Sequence, residues 1–592
     1  MSFCPCPAFG PAWSARKRKP NSPADRHSAV PTPSPSHDQL RGNAVQTIDA
    51  IAEILKREGV QYLSCFPTTP VIEACAAAGI RPIICRQERV GVGIADGYSR
   101  ITNGRPPGVF AMQYGPGAEN AYSGVATSFS DSVPILLLPL GHPRERQGVF
   151  PMFDSIESFA SVTKHLERLN LSGSTSQVMR RAVNALYTGR PGPSMVEIPA
   201  DVALEEVSEE AFYWGGNVRR SASQADPDDI EAAARALCSA TYPVIHAGQG
   251  VMYAEATDEL VELAELLSIP VMSTLLGKSG FPEQHPLALG SGSGVMSGTV
   301  YHFMRRSDVI FGVGSSFTKH GMSMNLPTGR TLIQNTNDPR DLNKDYDVQF
   351  PLIGDAKLAL RQMIEACREI VGDSRRNNAE VTGEIASVRE AWLAEWEHKT
   401  TDSGPLVNPY RVITDFQKAV PASEAIITHD SGSPRDQITP FYRSGGPRTY
   451  LGWGKSHGLG TGLGLVIGAK LADPEKMCVN FMGDAAFGMV GLDFETAVRS
   501  NVPITTVVLN NSTMAVETNA MQRSHELYNT RDLGGNYADL GRAMGGYAER
   551  VTDPNEIIPA FQRARQQNEN GNAVLLEFIT NAEINYSHRR AF

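Results

Sequence analysis

A carboxylate and an amide stand 27 residues apart, each at the end of an apolar run. Asp484 follows Met477–Met482, and Asn511 follows Ile504–Leu509. The segment between them is amphipathic, so the stretch reads as strand, helix, strand. A parallel crossover of this length brings both strand ends to one edge of a sheet. Gly483, Ala485 and Ala486 flank Asp484 and are small enough to let a phosphate approach. One carboxylate and one amide oxygen beside such a gap suit an octahedral Mg2+ that also holds a diphosphate.

Gly483-Asp484-Ala485 followed at this distance by Asn510-Asn511 is similar to the thiamine-diphosphate signature, G-D-G and then N-N, with alanine as the third residue. The chain resembles the acetolactate synthase and 2-oxo-acid decarboxylase family. The resemblance implies a Mg2+ held by Asp484, Asn511 and the backbone carbonyl of Thr513. It places the diphosphate against Gly483, Ala485 and Ala486, and against Gly432 and Ser433. Those two lie in Asp430-Ser431-Gly432-Ser433-Pro434, where the family has D-V-G-Q-H. Leu459, in Leu459-Gly460-Thr461-Gly462, takes the place of the bulky residue that bends the cofactor. Pro67 would border the cofactor as well. Glu517 sits six residues past Asn511, where simple decarboxylases carry a glutamate that works on the reacting carbon.

The second catalytic candidate lies about 400 residues upstream. Glu88 opens a helical segment whose Ala95, Gly97, Tyr98 and Arg100 match the family's helix after its invariant acid. In that family the acid passes a proton so that the aminopyrimidine amine can deprotonate the thiazolium carbon. A helix N-terminus lowers the pKa of such an acid, and burial raises it. Gly115-Pro116-Gly117-Ala118-Glu119-Asn120 and Gly189-Arg190-Pro191-Gly192-Pro193 also match family loops. His457 and His525 fall near the expected mouth and read as ordinary polar histidines. Phe150-Pro151 stands where the family has a phenylalanine–glutamine pair lining the substrate pocket.

These residues need a scaffold of several domains. The chain has 592 residues, too many for one core. Residues 1–43 are rich in proline and serine and read as a disordered tail. Residues 44–206 alternate strands and helices, as do 226–372 and 406–592. The expected fold is α/β: three doubly wound parallel-sheet domains. The resemblance implies that they are pyrimidine-binding, central and diphosphate-binding. Helical spacing is read from Asn43 onward, and Val133–Leu138 reads as a strand buried on both faces. In the central domain Gly248-Gln249-Gly250 reads as a structural turn. Ser315-Ser316-Phe317-Thr318-Lys319 stands where the family's flavin-binding members have R-F-D-D, so FAD is not expected.

Composition excludes other classes. The net charge is −10 and the pI about 5.8, which argues against nucleic acid or an anionic membrane as partner. No apolar run reaches about 18 residues, so no membrane-spanning helix is expected. The eight cysteines are scattered and read as reduced thiols of a cytoplasmic protein. A mitochondrial address is the alternative, since no acidic residue precedes Asp25. The resemblance implies a homodimer or tetramer with the cofactor between subunits. The function expected is a Mg2+- and thiamine-diphosphate-dependent carboligase or decarboxylase acting on a 2-oxo acid. A lyase of 2-hydroxyacyl-CoA or oxalyl-CoA, and a catalytically silent family member, are the alternatives.

Overall fold

Three six-stranded sheets, every strand parallel to its neighbours, carry the chain. They were obtained from a computed structural model that describes residues 45–208, 221–372, 378–456 and 458–592. The proposed tail and His457 lie outside the described residues.

The first sheet runs in the order Arg81–Ile84, Tyr62–Cys65, Gly108–Met112, Ile135–Gly141, Ser194–Pro199, His165–Arg168. The second runs Ala288–Gly292, Val271–Thr274, Pro243–Ala247, Val309–Val313, Thr331–Thr336, Phe350–Ile353. The third runs Tyr450–Leu451, Ala425–His429, Met477–Gly483, Thr505–Asn510, Val574–Ile579, Tyr547–Val551. In each, the first strand in sequence lies second or third from one edge. The chain moves outward from it, then returns to build the other half. That reversal leaves a crevice at the carboxyl ends of the strands on either side, which is where open α/β sheets bind ligands. The expectation of three doubly wound parallel-sheet domains therefore holds.

Ile135–Gly141 is buried at all seven positions, as its lack of charge requires. Two details differ from the sequence reading. Val45–Gln46 is a short strand paired antiparallel with Glu206–Val207, and the helix starts only at Thr47. Gln46 and Asp49 form a capping box there, which fixes the start. The central sheet has six strands, of which Pro243–Ala247, Val309–Val313 and Thr331–Thr336 are apolar enough to be read by pattern. Val271–Thr274, Ala288–Gly292 and Phe350–Ile353 are short and contain Ser, Gly or Pro, which dilutes the apolar signal.

The first and third sheets meet through two helices, Glu88–Thr102 and Thr461–Ala472. Their backbones touch at glycines. A Cβ on Gly97 would lie 2.2 Å from the Leu465 carbonyl, and one on Gly468 would lie 2.1 Å from that of Ile94. No side chain fits at that crossing, so the glycines set how closely the helices pack. A buried ion cluster bolts the same junction. Arg100 is gripped by Asp96 and Asp131, and Asp131 also accepts the backbone N–H groups of Gly454 (2.9 Å) and Lys455 (3.2 Å). The loop that leads to Leu459 is thereby tied to the first sheet.

Candidate functional site

The strand Met477–Gly483 ends at the crevice of the third sheet, and Asp484 begins the helix Asp484–Val490. Its carboxylate is 3% exposed. Oδ1 accepts the N–H of Ala485 at 2.9 Å, and Oδ2 accepts the N–H of Ser512 at 2.7 Å. Burial raises the Asp484 pKa, and those two N–H groups oppose the rise. Ser512 belongs to the turn after the neighbouring strand Thr505–Asn510, so the structure joins the two strand ends read from sequence. Asn511 Oδ1 accepts the N–H of Thr513 at 3.1 Å, which orients the amide within the same turn.

Ala485 is the second residue of a regular helix and its φ is negative. The position therefore needs no glycine for its backbone, and the methyl is accommodated. Asn510, the first of the Asn pair, does a different job from Asn511. Its Nδ2 donates to Glu577 at 2.7 Å, and Glu577 also accepts the N–H of Ala538 at 2.9 Å. Both side chains are buried and hold the strand ends in place.

On the other side of the crevice, Ala425–His429 pairs with Met477–Gly483, with His429 opposite Phe481. Asp430 ends it. Its carboxylate is fully buried and accepts three backbone N–H groups: Ser431 at 2.7 Å, Gly460 at 2.9 Å and Gly462 at 2.9 Å. Burial raises its pKa to about 6 against the pull of those donors. In the sequence, Asp430 is signalled only as an Asp at a strand end two residues before a glycine. Through it, Gly432 and Ser433 are fixed relative to the Leu459 turn. Gly460 has φ +94°, a left-handed conformation that favours glycine and turns the chain into the next helix. Leu459 is half-buried against the apolar cluster containing Val490 and Met482.

Glu88 stands at the carboxyl edge of the first sheet, at the first turn of its helix and 4% exposed. The sequence left two opposing effects on its pKa. Burial wins: the carboxyl is pushed up, against its own backbone N–H and the Asn120 side chain, which lower it. Asn120 lies one turn into the helix Pro116–Ser130, whose Gly117 would bring a Cβ within 3.5 Å of Glu88 Oε1. In the sequence, Asn120 stands out only as the last residue of the Gly115–Asn120 loop motif. Pro67, exposed after Tyr62–Cys65, lies on the same sheet edge. Glu517 ends the short turn Ala515–Glu517 and is half-buried. The lobe that bears it is closed by Met514 N–H to Arg531 O at 2.9 Å and Leu533 N–H to Ser512 O at 2.9 Å. His525 lies in that lobe beside Asp532, at 3.9 Å.

The structure thus gathers Asp484, Ala485, Asn511, Thr513, Gly432, Ser433 and Leu459 on one sheet edge, and Glu88 and Pro67 on another. The central sheet has a crevice of its own, lined by Gly248–Gly250, Gly314–Thr318 and Asn335–Asn337. The Gly248-Gln249-Gly250 turn, read as structural, is part of that wall.

The donor set at Asp484 fits Mg2+. A carboxylate, an amide oxygen and a backbone carbonyl are hard oxygen ligands. The Thr513 carbonyl accepts the Ala515 N–H at 2.9 Å and has its second lone pair left for a cation. Among the described residues no group of three His, Cys, Asp or Glu side chains forms a separate metal site. The helix starts at Ser433 and Asp484 are adjacent: a Cβ on Gly483 would lie 3.9 Å from Pro434 Cγ. Two helix starts beside such a donor set, at the switch point of a parallel sheet, are the arrangement expected of an enzyme that holds a metal diphosphate.

Comparison with known families narrows that class. Three family models match: the N-terminal TPP binding domain of thiamine pyrophosphate enzymes over residues 45–166, their central domain over 230–363, and their C-terminal TPP binding domain over 430–578. The chain belongs to the thiamine pyrophosphate enzyme family and is a thiamine-diphosphate- and Mg2+-dependent carbon–carbon bond enzyme. It is 29% identical to a probable acetolactate synthase large subunit of Methanococcus aeolicus, over 87% of this chain and 89% of that protein. It is 26% identical to the acetolactate synthase isozyme 3 large subunit of Escherichia coli K12, over 89% and 94%. It is 27% identical to a sulfoacetaldehyde acetyltransferase of Alcaligenes xylosoxydans xylosoxydans, over 87% and 89%. Among the described residues no helix is long and apolar enough to cross a membrane.

Proposed function

We propose that this protein decarboxylates a 2-oxo acid and either protonates the product or joins it to a second carbonyl, as an acetolactate synthase-like enzyme. The observation that carries the reading is the buried Asp484, hydrogen-bonded to the turn that bears Asn511. Asp484, Asn511 and the Thr513 carbonyl hold Mg2+. Gly432, Ser433, Gly483, Ala485 and Ala486 receive the diphosphate, and Leu459 supports the bend. Bound there, thiamine diphosphate supplies the carbon that attacks a carbonyl and the electron sink that lets the adjacent carboxylate leave as CO2.

Glu88 holds the proton at the aminopyrimidine end. Its raised pKa keeps it protonated to higher pH than an exposed glutamate, which suits a group that donates and regains one proton per cycle. Glu517, on the lobe after Asn511, delivers or removes a proton at the substrate. Pro67 borders the same cleft.

We further infer a homodimer or tetramer in which Glu88 serves a cofactor held by a second copy. Within one chain, Arg86 N–H donates to Asp493 at 2.7 Å and Gln87 Nε2 to the Met489 carbonyl at 3.2 Å. The Glu88 loop therefore rests near the far end of the Asp484–Val490 helix, about 8 Å along its axis from Asp484 at 1.5 Å per residue. Phe150 is 93% exposed, and Tyr114, Phe129, Met489 and Leu492 are exposed as well. Such apolar residues suit a subunit interface. The described cysteines are free thiols, most of them buried, which fits a reducing compartment such as the cytoplasm.

The test is turnover of purified protein with Mg2+ and thiamine diphosphate. Pyruvate, longer 2-oxo acids and acyl-CoAs are offered singly and in pairs, with products read by mass spectrometry. Product from 2-oxo acids is expected. Turnover of acyl-CoA alone assigns a lyase, and no turnover of any substrate assigns a silent member. The same preparation is expected to show no flavin absorption in the visible.

A further inference from the structure

Ser433 opens the helix Ser433–Phe441 at the crevice of the third sheet and is 8% exposed. Its hydroxyl lies 2.7 Å from that of Tyr586, 153 residues further along and equally buried. A serine hydroxyl has one proton and turns freely about its C–O bond. If Ser433 donates to Tyr586, that proton is used up. If Tyr586 donates to Ser433, the serine proton stays available to an acceptor in the crevice. Burial raises the phenol pKa, so Tyr586 keeps its proton at neutral pH and is able to donate.

Tyr586 reaches Ser433 on a segment anchored from both sides. Upstream, Tyr410 Oη donates to the Asn585 carbonyl at 2.7 Å. Downstream, Ser587 Oγ donates to the Met296 carbonyl at 2.7 Å and accepts the Trp392 indole N–H at 3.0 Å. Met296 N–H donates to the Ser587 carbonyl at 3.1 Å, and Arg590 N–H to that of Gly294 at 2.9 Å. The His588 ring stacks on Tyr301 at 4.4 Å and 12°. The Arg589 guanidinium covers the Tyr586 ring at 4.8 Å. Most of these anchors belong to the central domain or the helix after it. The phenol is therefore placed before any ligand arrives.

We propose that Tyr586 is a positioning residue for the diphosphate: its hydroxyl donates to Ser433 Oγ and thereby aims the Ser433 proton at a diphosphate oxygen. This rests on the reading that Ser433 lies against that group. It makes cofactor affinity depend on docking of residues 586–590 against the central domain.

The test is a double-mutant cycle on the full chain. Affinity for thiamine diphosphate in saturating Mg2+ is measured by calorimetry for the parent, Tyr586→Phe, Ser433→Ala and the double variant. Melting without cofactor is recorded in parallel. Ser433→Ala is expected to weaken binding about tenfold, the scale of one hydrogen bond to a charged group, and Tyr586→Phe, which leaves the Ser433 proton in place but unaimed, about threefold. The double variant is expected to be no weaker than Ser433→Ala alone, because Tyr586 acts only through the Ser433 hydroxyl. Melting of Tyr586→Phe without cofactor is expected to match the parent, which a merely structural tyrosine would not do. Parental affinity in Tyr586→Phe, or losses that multiply in the double variant, overturns the proposal. Should Tyr586→Phe melt early, Ser433→Ala alone decides, since it leaves the segment docked: unchanged affinity there overturns the proposal. Asp484→Ala separates the two levels. If it too binds normally, the reading of the site fails. If it loses the cofactor while the Tyr586 and Ser433 variants keep it, only this inference fails.

Discussion

Asp484 Oδ2 accepts the backbone N–H of Ser512 at 2.7 Å, so the turn after one strand hangs from the carboxylate at the end of its neighbour. The bond ties that carboxylate to the turn carrying Asn511 and Thr513, the residues proposed with it to hold Mg2+. Asp484→Asn keeps the volume and removes the charge. Its Nδ2 would also face the N–H of Ala485 or Ser512, donor against donor. The affinity for thiamine diphosphate in Mg2+ is expected to fall by more than about tenfold, the loss typical of disturbed ligand shells. Calorimetry of the two proteins checks it, and equal affinities would remove Asp484 from the metal site.

Glu88 calls for the opposite separation of binding from turnover. Glu88→Gln preserves the shape beside Asn120 and Gly117 but cannot carry the proton. Thiamine diphosphate is expected to bind nearly as before, while kcat falls about 10²–10⁴-fold. Because burial holds the Glu88 pKa up, the parent's activity should respond to the protonation of Glu88 at a higher pH than an exposed glutamate would allow. That limb of the pH profile should vanish in the variant. Normal turnover would show that another group moves the proton.

The residues that could be read directly are those set by local rules. Apolar runs ending in Asp484 and Asn511 gave both strand ends, because strand burial and strand-end chemistry are written in contiguous residues. Glu88 was legible through the motif it opens, since Ala95, Gly97, Tyr98 and Arg100 follow it in the helix after a strand. What stayed hidden depends on partners distant in sequence. Tyr586 meets Ser433 across 153 residues, and Asp131 meets Gly454 across 323. No periodicity announces such pairs. The weak central strands escaped because they are short and their Ser, Gly and Pro residues dilute the apolar run. The balance of effects at Glu88 needed the actual depth of burial, which no helix-start rule contains.

Asp131 tests the junction between the first and third sheets. It is fully buried, pairs with Arg100 at 3.1 Å, and accepts two backbone N–H groups from the loop at Gly454 and Lys455. Asp131→Ala leaves those donors and the guanidinium with one fewer partner. Removing one member of a buried ion pair costs about 3–5 kcal/mol. Chemical denaturation is expected to register a loss of that order. The cofactor should also bind less tightly, since the loop released is the one that leads to Leu459. A loss below about 1 kcal/mol would mean that Asp96 alone satisfies Arg100.

Asp430 gives the pH dependence. Burial raises its pKa from 3.8 to about 6 even though Ser431, Gly460 and Gly462 all donate to it. The folded chain therefore binds this proton more tightly than the unfolded chain does. By linkage, the stability contributed is complete below about pH 4 and is lost as the pH rises through about 6. Asp430→Asn cannot titrate, and it sets an amide N–H2 against three backbone donors, so it should melt below the parent throughout. The gap between the two melting temperatures should narrow from about pH 4 to about pH 6 and then stay level. A gap that widens over that window would mean that the three donors outweigh burial and hold the carboxylate ionised. Asp430 would then fix the Leu459 turn as a permanent anion, and its pKa would lie below the ordinary range instead of above it.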